Sequence, residues 1–200
     1  MITNLPNGTC WQGSVPRYYI DVQEVTDVQA ALALAREYNF PVVVKNSGHD
    51  YKGRSSAPNS LSLWTYNHQP DITLTRNFIP DGCESGIDDV VTFGAGQAWD
   101  GIYRFAEAQN VTVAGGSAST VGAAGGWIAG GGHSPLSPVY GLGVDNVRQF
   151  RVVLPNGTYV TANACQNQDI FFALRGGGGG TFGVVMEMST RALPQLTIQV

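Results

Sequence analysis

The stretch Val42–Ser56 most narrows the folds open to this chain. Three consecutive valines, Val42-Val43-Val44, pass directly into Lys45-Asn46-Ser47-Gly48-His49-Asp50-Tyr51-Lys52-Gly53-Arg54-Ser55-Ser56. A β-branched run of that length reads as a buried strand, and the polar, glycine-bearing continuation reads as a loop at its end. Lys45, Lys52 and Arg54 surround a single acid, Asp50, although the chain holds only 11 Lys and Arg in 200 residues. A strand that delivers backbone N–H groups, positive charge and an imidazole to one point suits a phosphate-bearing cofactor. His49 is the expected cofactor residue. A lone loop histidine is more often an ordinary hydrogen-bonding group; Gly48, the cations and the hydroxyls of Ser55 and Ser56 argue for the cofactor.

The flanking pattern supports a strand at that position. Tyr18–Val22 reads as a strand, and Thr26 with Gln29 has capping-box spacing. Val28, Ala31, Leu32, Ala35 and Tyr38 follow at helical intervals until Asn39 and Pro41 end the run. Strand, helix and the Val42 strand form a β-α-β unit. Leu61–Thr65 and Val90–Phe93 read as further strands, and Asp81–Asp89 as an exposed acidic loop. Trp99, Ile102, Tyr103 and Ala106 mark a second amphipathic helix before a strand at Val111–Val113. These make a second β-α-β unit, so residues 14–114 are expected to form one α+β lobe. From 115 onward the long strand Asn146–Leu154 turns at Pro155-Asn156-Gly157-Thr158 into Tyr159–Thr161, and a last strand occupies Phe182–Ala192. Hairpins of this kind predict a mainly antiparallel second lobe over residues 115–194. No internal repeat survives a residue-by-residue check.

Composition removes several classes of function. A net charge of −4 and a pI near 5.2 do not suit nucleic acid as the main partner. No apolar run reaches the ~18 residues of a membrane span. Cys10, Cys83 and Cys165 are widely spaced and, with His49, His68 and His133, give no zinc pattern. Neither a P-loop nor a Gly-x-Ser-x-Gly elbow is present. Gly94-Ala95-Gly96-Gln97-Ala98-Trp99 begins like a dinucleotide fingerprint, but Trp99 stands where the third glycine is needed. Sequons at Asn7, Asn110 and Asn156 hint at secretion, whereas Met1–Pro6 lacks the basic and apolar parts of a signal peptide. Either the protein is not exported, or the chain is part of a longer one.

Glycine makes up 26 of the 200 residues, about twice its ordinary ~7% share. It gathers in Gly115-Gly116-Ser117-Ala118-Ser119-Thr120-Val121-Gly122, in Gly125-Gly126-Trp127-Ile128-Ala129-Gly130-Gly131-Gly132-His133, and in Gly176–Gly180. Glycine costs ~0.5–1 kcal/mol against alanine in ordered structure. Its repetition therefore predicts that side chains are kept out to make room for a large flat ligand. Phe182 and Val184-Val185 immediately after Gly176–Gly180 argue against a flexible linker.

Taken in order, Val44–Tyr51, Gly116–Gly122, Gly132-His133-Ser134-Pro135-Leu136, Tyr140–Val147 and Leu174–Val185 resemble the vanillyl-alcohol-oxidase/PCMH-type FAD-binding family. The resemblance is to its berberine-bridge-enzyme-like branch, and to secreted fungal oxidoreductases in particular, over residues 14–194. It implies an α+β, two-lobed FAD-binding domain with the cofactor between the lobes. His49 matches the histidine that bonds the 8α carbon of the isoalloxazine. Asn46, Ser47, Gly48, His49 and Asp50, with Ser55, would hold the pyrophosphate. Gly116, Ser117, Ala118, Thr120, Val121, Gly122 and Gly126 would run beside the pyrophosphate and flavin. Val185 would meet the adenine end through its backbone, and His133 would be structural or line the flavin. Doubly linked members carry cysteine where this chain has Ala118, so a single histidyl link is expected.

Members of the family usually continue into a substrate domain, which this chain is expected to lack. Cys10 would pair with a cysteine upstream of the chain. The implied activity is an FAD-dependent oxidoreductase taking hydride from an alcohol, sugar or related small molecule, with dioxygen as acceptor. No catalytic base can be named within the chain. A non-catalytic flavin-binding module is the alternative, and a nicotinamide reductase, which would be colourless, is a third.

Overall fold

A computed structural model describes residues 13–86 and 88–196; the expectations for Asn7 and Cys10 lie outside them. Its first layer is a three-stranded parallel sheet of β1 (Tyr18–Asp21), β2 (Val42–Lys45) and β3 (Leu61–Trp64), in the order β1-β3-β2. Helix α1 (Val25–Tyr38) makes the crossover from β1 to β2, and β3 later inserts between them. β2 is an edge strand of this layer, parallel to β3, and the loop from Asn46 leaves its C-terminal end.

Helix α1 begins earlier than the capping pattern implied. Glu24 is the N-cap, and the Asp27 carboxylate accepts the Gln23 and Glu24 N–H groups at 2.9 Å each. Those bonds hold the Asp27 carboxyl below the usual carboxylate range. Thr26 thus lies inside the first turn, and Gln29 instead donates to the Gly157 carbonyl at 2.7 Å. Asn39 closes the helix in the left-handed conformation, φ 50°.

The larger layer is an antiparallel sheet of β4 (Thr73–Phe78), β5 (Asp88–Gly94), β7 (Val147–Val153), β8 (Tyr159–Asn163) and β9 (Val184–Arg191). Its order is β4-β5-β9-β7-β8. The short strand β6 (Val111–Thr112) pairs with β10 (Leu193–Pro194), antiparallel. Two expectations change here. The second β-α-β unit does not exist, because β5 and β6 belong to different sheets. The sheets divide after β3, so the strand material of 73–94 joins that of 147–191 and the expected boundary at 114 does not separate them. Local patterning marks Val90–Phe93 as a strand and says nothing of its partners, so residues 73–94 fall with the first lobe on sequence alone.

Part of the expected acidic loop is strand as well. Asp88 meets Arg148 at 2.7 Å and Arg191 at 3.1 Å, and Asp89 meets Arg76 at 2.7 Å. These arginines, distant in sequence, neutralise the acids and let β5 extend through them.

Helix α2 (Trp99–Ala108) packs its buried face of Trp99, Ile102 and Ala106 on the large sheet with Phe93, Phe150 and Met188. A smaller core of Val22, Val28, Ala31, Leu63, Val153, Val184 and Met186 fastens α1 and β3 to the ends of β7 and β9. The described residues also form the short helices α3 (Ser137–Tyr140), α4 (Gly143–Asn146) and α5 (Gln168–Leu174). Among the described residues no helix is long and apolar enough to cross a membrane.

Sequence spacing left the cysteine pairing open, and the structure joins Cys83 to Cys165 across 82 residues. The cross-link ties the β4–β5 connection to the segment after β8, where Asn163 also donates to the Asp81 carbonyl at 2.8 Å. A closed loop of that size is expected to stabilise by about 2–5 kcal/mol. Cys83→Ser should therefore lower the urea-unfolding free energy by that amount, and reductant should lower the wild type to the variant's level.

Candidate functional site

The loop leaving β2 folds across the mouth of a cleft of about 490 Å³ between the two layers. Asn46, Ser47, Gly48, His49, Asp50 and Ser55 line one wall, together with Lys52 and Arg54. Val121, Gly122, Gly126 and Val185 lie on the other wall, joined by Gly125 and Gly178–Gly180. Residues separated by over a hundred positions are thus brought together, as the ordered glycine loops implied. Gly116, Ser117, Ala118, Thr120 and His133 do not line this cleft. Gly116 is buried, and its carbonyl accepts the Tyr103 hydroxyl at 2.5 Å. Burial raises the Tyr103 pKa to about 12. Ser117, Ala118 and His133 are exposed.

The glycines sort into two kinds. A Cβ on Gly116 would come within 2.9 Å of Trp127, one on Gly132 also within 2.9 Å, and one on Gly143 within 2.5 Å. The flat group that keeps side chains out of these positions is the protein's own indole, which corrects the expectation of a ligand there. Trp127 in turn packs edge-on against Trp99, ring centres 4.8 Å apart. Gly94 and Gly96 are likewise filled by protein: their Cβ atoms would meet Pro70 and the carbonyls of Tyr66 and His68. In contrast, Cβ atoms on Gly125 and Gly126 would meet nothing within 4 Å. These two present bare backbone to the cleft, at the irregular π-type turn Ala123–Trp127 where Gly125 leaves helical geometry.

The walls are pinned to each other. The Asn46 side-chain amide donates to the Ala95 carbonyl, the Trp64 indole donates to the Asn46 carbonyl at 3.0 Å, and Gly122 N–H donates to Ser47 Oγ at 3.2 Å. A Cβ on Gly122 would lie 2.4 Å from Asn46 Cγ, so only glycine admits this crossing. Gly178 N–H donates to the Ala129 carbonyl at 2.8 Å, and a Cβ on Gly179 would lie 2.9 Å from the Gly126 Cα. The five-glycine run is therefore packed backbone against backbone with the π-type turn.

Charge in the loop is more balanced than its cation count implies. Arg54 Nη2 meets Asp50 Oδ1 at 2.6 Å, and Arg54 N–H donates to Asp50 Oδ2 at 2.5 Å. The Arg54 guanidinium holds the Asp50 carboxyl below the usual carboxylate range, and Asp50 raises Arg54 in return. The pair closes residues 50–54 into a turn, and Lys52 lines the cleft beside it.

His49 is exposed and stands on the divide between this cleft and a second one of about 480 Å³. Thr120 lines the second cleft, and its Oγ1 is 2.9 Å from His49 Nε2. This contact had no signal in the sequence, since the partners are 71 residues apart. No group of three or more metal-ligating side chains occurs among the described residues.

Comparison with known proteins agrees with this geometry. The family model described as an FAD binding domain matches residues 16–163. The FAD-linked oxidoreductase phmC of Phaeosphaeria nodorum is 52% identical over 196 residues, covering 97% of this chain and 44% of that protein. The FAD-linked oxidoreductase ffsJ of Aspergillus flavipes is 50% identical over 189 residues, covering 94% of this chain and 31% of its own. A crystal structure of a VAO-type flavoprotein from Myceliophthora thermophila C1 superposes with a TM-score of 0.86 at 39% identity, covering 92% of this chain and 33% of that one. The chain thus spans less than half the length of these relatives.

The two kinds of glycine predict opposite results. Gly122→Ala should cost about 1–3 kcal/mol through overpacking against Asn46, read as a lower melting temperature. Gly126→Ala should leave stability within about 0.5 kcal/mol while weakening flavin binding in a fluorescence titration.

Proposed function

The chain belongs to the FAD-binding-domain family of VAO-type, berberine-bridge-enzyme-like flavoproteins, and on that premise we propose that it is the flavin-holding part of an oxidoreductase acting on an alcohol, sugar or related small molecule. The observation that carries this reading is the bare backbone of Gly125 and Gly126 facing the His49 loop across one cleft. An elongated dinucleotide needs such close backbone approach. When bound, the flavin supplies the redox chemistry, taking hydride from substrate and passing the electrons to dioxygen.

The residues present fit that group. Asn46–Asp50 and Ser55 hold the pyrophosphate, with Lys52 contributing charge and Arg54 keeping the loop closed through Asp50. The backbone of Gly125, Gly126 and Gly178–Gly180 lies along the opposite side, and Val185 meets the adenine end. His49 is the single covalent anchor, bonded to the 8α carbon. Ala118 is exposed and cannot supply a second link. No residue of the chain is assigned as the base that deprotonates substrate.

The whole protein is proposed to be secreted. The Cys83–Cys165 disulfide favours an oxidising compartment, and the sequon residues Asn110 and Asn156 are both exposed. Protein from a eukaryotic secretion host should lose mass on treatment with an N-glycan-cleaving enzyme; an unchanged mass counts against glycosylation at these sites.

Acid precipitation tests the cofactor assignment directly. Yellow flavin should remain with the precipitated wild type and be released from His49→Ala, with flavin absorbance measured in pellet and supernatant. Complete release from the wild type refutes the covalent anchor. Peroxide release across a panel of alcohols and sugars then distinguishes an oxidase from a flavin-binding module without turnover.

A further inference from the structure

We propose that Thr120 is the positioning residue that makes His49 competent to bond the flavin, by holding its Nε2 and leaving Nδ1 as the nucleophile. The inference rests on the covalent reading above. Its structural basis is the 2.9 Å contact between Thr120 Oγ1 and His49 Nε2. This is the His49 side chain's only hydrogen bond to the protein among the described residues, so Nδ1 has no competing partner.

The hydroxyl is held in place from both sides. Asp100 N–H donates to the Ser119 carbonyl at 2.9 Å and Trp99 N–H to the Val121 carbonyl at 3.1 Å, so the first turn of α2 clamps the residues flanking Thr120. Val121 N–H closes a turn onto the Ala118 carbonyl at 3.2 Å. Two residues on, Gly122 N–H reaches Ser47 Oγ in the loop that carries His49. Imidazole and hydroxyl therefore sit on two segments that are stitched together next to the contact. Their separation is set by backbone bonds rather than by two free side chains.

The chemistry needs a partner with this dual character. Neutral imidazole has one N–H, and the nitrogen that attacks must be the other. With Thr120 accepting from Nε2–H, the lone pair is on Nδ1. Attack forms the Nδ1–C8α bond and breaks one C8α–H bond. The C8α proton and the Nε2 proton are lost to solvent, which both exposed side chains reach. Two electrons pass to dioxygen, giving hydrogen peroxide with two protons. Positive charge that develops on the ring is stabilised by the same Nε2–H···Oγ1 bond. Once that proton has gone, the hydroxyl rotates and donates to Nε2. A threonine can do both, whereas a carbonyl or an N–H could do one.

The test uses protein made in a riboflavin-starved host and then supplied with FAD in air, as wild type, Thr120→Val and Thr120→Ser. Two quantities are read: the rate at which flavin becomes acid-stable, and the ring-nitrogen shifts of His49 before FAD is added. The proposal expects an Nε2–H tautomer in the wild type. It expects attachment at least about tenfold slower in Thr120→Val, the scale on which loss of an orienting partner is felt. Thr120→Ser should recover both. Thr120→Val attaching at the wild-type rate, or a wild-type Nδ1–H tautomer, overturns the proposal and leaves the covalent reading intact. A wild type that binds FAD and never makes it acid-stable overturns both. If Thr120→Val fails to bind FAD, the tautomer measurement and the serine variant still decide.

Discussion

The site depends on one crossing point, where Asn46 passes Gly122 with no room for a side chain between them. On one side of it the Asn46 amide and the Ser47 hydroxyl bond to Ala95 and Gly122; on the other, the chain runs on to Gly48 and His49. Everything that gives the cleft its shape is referred to that point. The parallel layer delivers Asn46, the large sheet delivers Ala95 at the end of β5, and α2 fixes the loop that carries Gly122. Moving any of these changes the distance between the walls.

Much of this could be read in the residues. The Val42–Val44 run, the loop after it and the three glycine segments pointed to one cofactor site, and Asn46–Asp50 with Val121, Gly122 and Gly126 do meet at one cleft. What local pattern did not contain was partnership. Val90–Phe93 reads as a strand but does not show that β9 lies beside it, and Asp88 looks like loop until Arg148 and Arg191 are placed next to it. The glycines show the same limit: nothing in the sequence distinguishes Gly126, which faces open space, from Gly132, which faces Trp127. The distinguishing fact is a ring packed between segments that are distant along the chain. Cys83 with Cys165 and His49 with Thr120 were hidden for the same reason.

Bare backbone on the cleft suits the pyrophosphate of the proposed flavin in a chain with so few charges. Arg54 is committed to Asp50, so the loop offers less free positive charge than a count of its cations implies. On the proposed reading, recognition falls mainly to N–H groups and to shape, both of which need the glycines and neither of which is strongly screened by salt.

The position of β9 has a consequence for how the molecule is made. The strands β4 and β5 form one hairpin and β7 and β8 another, and β9 joins them, pairing with β5 along Val90–Gly94 and with β7 along Val147–Val153. Of the five strands of this sheet, the central one is thus the last to be synthesised. Until Val184–Arg191 emerges, both hairpins have an open edge, at Phe93 and at Phe150, and such edges invite pairing with other chains. The Cys83–Cys165 bridge joins residues that are both synthesised before β9. It can hold the two hairpins in one molecule, with a slot between them, while the closing strand is still to come.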